Sequence, residues 1–266
     1  MTILGVIFPP DLPPERLRSV AIAADSHGVD QLWVWEDCFK EAGIASATAA
    51  LSITDRLTLG IGLLPVPLRN VALTAMEIAT VERLFPGRFV PGVGHGVLDW
   101  MGQVGARAAS AMTLLREYTE ALRALLHGET VTRSGRYVNL TDVTLDWPPD
   151  PAPPLLVGAV GPRTVALAGE LSDGVIFTGD TPADSVRESL AHFHSGRDKA
   201  VVTGLDTQIT TFLAIDGSLP PDKIAAEVRN YADAGATHVI LHAVGGGPDL
   251  ADFARIVGNE VRPLLG

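Results

Sequence analysis

Short apolar runs alternate with longer segments of helical spacing along the whole chain. Residues 3–8, stopped by Pro9 and Pro10, read as a buried strand. Residues 13–27 follow as a surface helix on Leu17, Val20, Ile22 and Ala24, closed by Gly28. The same alternation gives strands at 31–35 and 57–64, with a small-residue helix over 42–54 between them. A helix over 71–85 uses Met76, Ile78, Val81, Leu84 and Phe85, and Pro86-Gly87 ends it before a fourth strand at 88–96. Pro91 sits inside that strand, where it cannot donate to a ladder, so a local irregularity is expected. The clearest helix spans 108–126, with Met112, Leu115, Tyr118, Leu122 and Leu125 at spacings of three and four. Residues 128–147 read as an excursion with short strand-like pieces such as 136–140.

The stretch 154–178 states the repeat most compactly: strand, glycine turn, short helix and second strand. Gly158 to Gly161 allow a tight turn and Pro162 suits a first helical position, so unpaired backbone N–H groups can face a phosphate there, helped by Arg163 and Thr164. A simple surface cap is the alternative for this turn. A helix over 182–194, a strand over 207–215, a helix over 220–235, a strand over 237–242 and a last helix over 249–265 complete eight strand-helix repeats. That count predicts an α/β fold: an eightfold parallel β/α (TIM) barrel, one domain over 1–266 with few insertions. An open doubly wound sheet is the second choice, but no G-x-G-x-x-G turn follows the first strand.

Composition narrows the function classes. The formal net charge of −11 argues against non-specific binding to nucleic acid or an anionic membrane, and no apolar run approaches the roughly 18 residues of a span. Cys38 is the only cysteine, which leaves no intrachain disulfide and fits a reducing, cytoplasmic setting; the N-terminus lacks the basic segment of a secretion signal.

In a parallel barrel the chemistry sits just beyond the C-terminal ends of the strands. That filter selects Phe8; Glu36, Asp37 and Cys38; Ile61, Gly62, Leu63 and Leu64; Gly94, His95 and Gly96; Gly158, Ala159, Val160, Gly161, Pro162, Arg163 and Thr164; Thr178, Gly179 and Asp180; His242; and Gly245 to Gly247. Small residues on several strands can admit a flat ring system against the backbone. His95, between two glycines, is expected to project into the mouth. Glu36 and Asp37 are acid/base candidates, although neighbouring strand residues point opposite ways and one of them can merely cap. Cys38 reads as packing, since no basic neighbour would stabilise a thiolate. Trp33 and Trp35 share one face, as core or as a ring pocket. His192 and His194 suggest a metal hydrolase, but they fall late in a helix, so no metal site is expected. His238 starts its strand; His242 can reach the mouth, in a structural or a functional role.

Leu-Trp-Val-Trp-Glu-Asp (32–37), Leu-Gly-Ile-Gly-Leu-Leu-Pro-Val-Pro-Leu-Arg-Asn (59–70), Leu-Phe-Pro-Gly-Arg-Phe-Val-Pro-Gly-Val-Gly-His-Gly (84–96) and the stretch 154–178 together resemble the luciferase-like monooxygenase family. The helix 112–126 and the following His-Gly-Glu-Thr-Val-Thr-Arg-Ser-Gly-Arg-Tyr (127–137) extend the likeness over almost the whole chain. The resemblance implies an oxidoreductase that binds the deazaflavin coenzyme F420 or FMN and moves a hydride to or from a small organic substrate, with homodimerisation left open. It also implies a non-prolyl cis peptide somewhere in 61–63, a bulge in the third strand, and a phosphate loop at Gly158 to Thr164. On this reading the cofactor contacts are Phe8, Glu36, Ile61, Gly62, Leu63, Gly94, His95, the phosphate loop and Thr178, and the catalytic candidates are Asp37, His95 and Glu36. Two departures stand out. Deazaflavin-dependent sugar-phosphate and alcohol dehydrogenases of the family carry Asp-His where this chain has Glu36-Asp37, and the sugar-phosphate enzymes place a glutamate at the position of Val97. Those substrates are therefore not expected. An FMN-dependent monooxygenase using reduced flavin and oxygen is the alternative enzyme, and a non-catalytic flavin-binding protein is the alternative of another class.

Overall fold

The computed structural model describes residues 2–178, 181–200 and 207–266. Eight parallel strands close into a barrel: β1 (Ile3–Ile7), β2 (Gln31–Val34), β3 (Thr58–Pro65), β4 (Phe89–Gly94), β7 (Leu156–Gly158), β8 (Gly174–Phe177), β9 (Gln208–Asp216) and β10 (His238–Val244). β1 closes the ring on β10, with Ile3 opposite His238. Helices α1 (Leu17–Ser26), α2 (Gly43–Leu51), α3 (Val71–Leu84), α5 (Ala111–Leu126), α6 (Pro162–Leu171), α7 (Ala183–Arg197), α8 (Pro221–Asp233) and α9 (Leu250–Ile256) alternate with the strands. The excursion after α5 is an antiparallel hairpin of β5 (Val131–Ser134) and β6 (Asn139–Val143). Among the described residues no helix is long and apolar enough to cross a membrane.

The period-two alternation of strands sorts the apolar residues into two cores. Leu32, Val34 and Ile61 point outward and pack with the helices, whereas Ile7, Trp33, Val90, Leu156, Phe212 and Ile240 fill the barrel interior. Glycines on β3 make room for the two large interior rings. A Cβ on Gly60 would lie 2.2 Å from the Trp33 ring, and one on Gly62 would lie 2.5 Å from Phe212 Cζ. Trp33 Nε1 donates to Gln31 Oε1 at 2.8 Å, which satisfies its one polar atom in the core.

The irregularity expected around Pro91 lies across the ladder. Pro91 pairs with Ile61, and the β3–β4 register then shifts between Ile61 and Leu64, so the bulge is on β3. Three sequence expectations are corrected. Ile22, Met76 and Leu84 are exposed, because each lies on the solvent side of its helix. The last helix is not continuous: α9 gives way to a π turn over Val257–Val261 and a 3-10 turn over Arg262–Leu265, where Pro263 has no N–H to donate. A short helix, α4 (Leu98–Gln103), occupies the loop after β4, between Gly96 and Gly105, which both have positive φ.

Helices α6 and α7 touch through backbone. A Cβ on Gly196 would lie 1.9 Å from the Ala166 carbonyl oxygen, and one on Gly169 would lie 2.0 Å from that of Phe193. Gly196→Ala is therefore expected to cost at least the ~1–3 kcal/mol typical of overpacking, read as a lowered urea midpoint with an unchanged slope.

At the opposite end of the barrel from the strand C-termini, burial pushes the His238 imidazole down to about 4. The unfolded chain takes up this proton near pH 6.5, before the folded chain does, so stability falls as pH drops from about 6.5 to 4 and levels off below. The loss should be on the order of 2–3 kcal/mol, and His238→Gln should flatten unfolding midpoints measured across that range.

Candidate active site

Beyond the C-terminal ends of the strands lies a cavity of about 440 Å³. Its floor is Leu63. This side chain, next to the bulge on β3 and following a cis peptide between Gly62 and Leu63, lines the space above the barrel core. Gly94 and Gly158 accommodate it from either side: a Cβ on Gly94 would lie 2.5 Å, and one on Gly158 2.2 Å, from Leu63 Cδ2. Those glycines thus seat Leu63, and Leu63 with Gly62 lines the cavity with apolar surface.

Aromatic rings form one wall. Trp35, one period beyond Trp33, stacks on Phe212 with centroids 6.0 Å apart and planes at 27°, and meets His242 edge-on at 5.3 Å. Trp100 from α4 joins them. Phe212 and Trp100 were not among the candidates read from the sequence. Phe212 sits at an inward position of β9, which the alternation of Thr210 and Phe212 signals, whereas α4 left no helix-length pattern to read.

The opposite wall is the turn after β7. Gly158, Ala159, Val160, Gly161 and Thr164 line it, and Gly161 is the N-cap of α6. The N–H groups of Val160, Gly161 and Arg163 reach no carbonyl among the described residues, while those of Thr164 and Val165 both bond to the Gly161 carbonyl. Open space surrounds the position a Cβ would take on Gly161. Free amides at a helix start favour an anion. The Arg163 side chain does not line this cavity; it lies over an adjoining hollow with Met112, Thr113, Arg116 and Glu170.

His95 and Thr164 link the two sides. His95 Nε2 lies 3.3 Å from Thr164 Oγ1, which donates to Met112 Sδ at 3.4 Å, while His95 Nδ1 is buried without a partner. Burial pushes the His95 imidazole down, opposed by the Ala111 backbone. The His242 imidazole is also lowered by burial, opposed by Asp11. Burial thus favours the neutral form of both rings.

The two carboxylates after β2 have separate surroundings. Glu36 accepts from Arg69 Nη2 at 2.5 Å and from the Gly43 amide at 2.8 Å, with its side chain 10% exposed. Its own N–H donates to the Leu63 carbonyl at 3.4 Å, so the Arg69–Glu36 pair braces β2 against the bulge. Asp37 Oδ2 accepts from Trp35 Nε1 at 3.1 Å and orients that ring. Burial, with Glu36 and Asp37 nearby, pushes the Cys38 thiol up, which keeps it protonated.

The cavity thus gathers Glu36, Asp37, Gly62, Leu63, His95, Gly96, five residues of the turn after β7, Thr178 and His242. It leaves out others. Phe8 is 1% exposed and packs against the helices, because alternation along β1 sends Ile7 inward and Phe8 outward. Ile61 and Leu64 face the same outer core. Gly94 stands behind Leu63, and Pro162 and Arg163 lie beyond the rim. His192 and His194 are on α7, and Gly179 and Asp180 lie outside the described residues.

A closed β/α barrel with a largely apolar cavity at its mouth, one wall of which presents backbone N–H groups at a helix start, defines a cofactor-dependent barrel enzyme. The chain belongs to the luciferase-like monooxygenase family, whose model matches residues 4–218, and it is an oxidoreductase. The 5,10-methylenetetrahydromethanopterin reductase of Methanolobus tindarius is 28% identical over 97% of this chain and 82% of its own length. The F420-dependent glucose-6-phosphate dehydrogenase of Mycobacterium avium is 30% identical over 95% of this chain and 94% of its own. A solved F420-dependent secondary alcohol dehydrogenase, in complex with an F420-acetone adduct, shares the fold with a TM-score of 0.88 at 20% identity, covering 100% of this chain and 99% of that one.

Proposed function

We propose that this chain transfers a hydride between the deazaflavin coenzyme F420 and a small organic substrate, with the ring over Gly62 and Leu63 and the phosphate at the turn after β7. The observation that carries this is the coincidence, in one cavity, of an apolar floor and amides at the start of α6 that bond to no carbonyl among the described residues. The F420-dependent glucose-6-phosphate dehydrogenase of Mycobacterium avium aligns with 95% of this chain, which favours the deazaflavin over FMN. When bound, the deazaflavin supplies a two-electron hydride donor or acceptor.

The chain's own residues position and exclude. Leu63 and Phe212 keep water from beneath the ring, Trp35 and Trp100 close the side where a substrate enters, and the amides of Val160, Gly161 and Arg163 fix the anionic tail. His95 stands beside Thr164 at the cavity, and burial disfavours its charged form, so its ring is suited to share a hydrogen bond with a substrate or ring atom. Glu36, held by Arg69, braces the bulge rather than exchanging a proton. A single cysteine and the charge of −11 accord with work in the cytoplasm on a small molecule, without nucleic acid.

Titration of the purified chain with F420 and with FMN, followed by fluorescence and absorbance, tests this. Saturable binding of F420 tighter than FMN supports it. Preference for FMN, with oxygen consumption when the flavin is reduced, favours the monooxygenase reading, and binding of neither would remove both.

A further inference from the structure

Two indoles follow one another on the inner face of β2 and its continuation, and each is held by the side chain two residues away. Trp33 Nε1 donates to Gln31 Oε1 at 2.8 Å, and Trp35 Nε1 donates to Asp37 Oδ2 at 3.1 Å. Phe212 joins the two rings, meeting Trp33 edge-on at 5.5 Å and stacking on Trp35 at 6.0 Å, and His242 continues the column 5.3 Å from Trp35. The base of this column is fixed by packing. Trp33 is fully buried, and Phe212 lies so close to β3 that a Cβ on Gly62 would come within 2.5 Å of its Cζ. The upper end is different: Trp35 is only half-buried and lines the cavity together with Phe212 and His242. There the indole depends on its acceptor. Asp37 is itself set by a turn, in which the Lys40 N–H donates to the Asp37 carbonyl at 2.9 Å; the Lys40 ammonium adds charge nearby but is joined to Asp11. A neutral amide serves Trp33, whereas the carboxylate at 37 gives Trp35 a stronger, charge-assisted bond.

We propose that Asp37 is a positioning residue: by accepting the Trp35 indole N–H it locks the aromatic column, and the locked Trp35 sets the upper size limit for a substrate beside the cofactor. This rests on the hydride-transfer reading above and names the residues that decide which substrates fit. An indole N–H that loses its acceptor in a half-buried place turns toward water, where it finds another. Without the Asp37 oxygen the ring therefore leaves the wall, and the cavity widens on that side. The same contact separates Asp37 from proton transfer. An amide at 37 would hold the ring and could carry no proton, so a positioning role survives Asp37→Asn and an acid/base role does not.

Near-ultraviolet circular dichroism of the parent minus that of Trp35→Phe isolates the signal of the stacked indole. Asp37→Asn is expected to keep that signal, and Asp37→Ala to lose most of it. The size limit is read by calorimetry on cofactor-saturated protein with two neutral ketones, cyclohexanone and the bulkier 2-adamantanone. The bulky ketone is expected to bind about tenfold or more tighter to Asp37→Ala and to Trp35→Ala than to the parent, while Asp37→Asn stays with the parent. Trp35→Phe keeps a ring but has no N–H to hold, so in that background Asp37→Ala should change the affinity by about twofold or less. This last pair decides the matter even if Trp35→Ala fails to fold. Loss of the signal in Asp37→Asn, no gain for 2-adamantanone in Asp37→Ala, or a full effect of Asp37→Ala in the Trp35→Phe background overturns the proposal. The cofactor titration is read separately. If no cofactor binds, the redox reading fails, and the dichroism, recorded on the protein alone, still decides whether Asp37 holds Trp35.

Discussion

Arg69→Met is expected to destabilise the protein by about 3–5 kcal/mol, the usual cost of removing one partner from a buried ion pair. Arg69 is 15% exposed and contacts Glu36 at 2.5 Å and Glu77 at 3.3 Å. Without it, Glu36 keeps only the Gly43 amide, and its charge is left next to the Asp37 carboxylate with aromatic groups around them. Because Glu36 also holds the Leu63 carbonyl through its own N–H, the bulge that forms the floor of the site loses its brace. Urea unfolding should show the loss in the midpoint. The double variant Glu36→Gln with Arg69→Met should recover most of it, since the stranded charge is gone, giving a coupling well beyond the ~0.5 kcal/mol expected of independent sites. If Glu36 instead carried the proton of the reaction, Glu36→Gln alone would abolish turnover while the cofactor still bound.

Gly158→Val should leave a folded protein that has lost about 100-fold in kcat/KM. The first atom that a Cβ at 158 meets is Leu63 Cδ2, 2.2 Å away, with Leu63 Cγ at 3.5 Å and no backbone atom in the way. The end of a leucine can swing, so folding costs little, and the space it lines is the cavity. Leu63 would rise into the seat of the ring. Circular dichroism and urea midpoints should stay close to those of the parent while cofactor affinity falls. Shortening the displaced side chain should restore binding: the pair Gly158→Ala with Leu63→Ala is expected to bind cofactor more tightly than Gly158→Ala alone. If Gly158→Val binds cofactor as the parent does, the seat lies elsewhere.

The barrel was legible because its strands and helices each carry their own period, and each glycine or proline between them falls where an element ends. The glycines of the mouth were legible as positions, but their reason was not. Gly94 and Gly158 suggest space for a ligand, whereas the space is taken by Leu63, a contact between residues 31 and 95 positions apart in or beyond the same repeat that no local pattern encodes. Phe8 was misplaced by one residue of alternation, since a strand end gives no marker of which face its last side chain takes. Arg69 stands in the quoted stretch 59–70, yet its pairing with Glu36, 33 positions away, follows from the closing of β2 on β3 and not from sequence spacing. Pro91 did signal an irregularity, and the ladder passed it to the neighbouring strand.

The most direct test is the equilibrium affinity of F420 for the parent protein and for Gly158→Val, measured side by side by fluorescence. The account predicts saturable binding by the parent and at least tenfold weaker binding by the variant at equal fold stability. Equal affinities, or no binding by the parent, would contradict it.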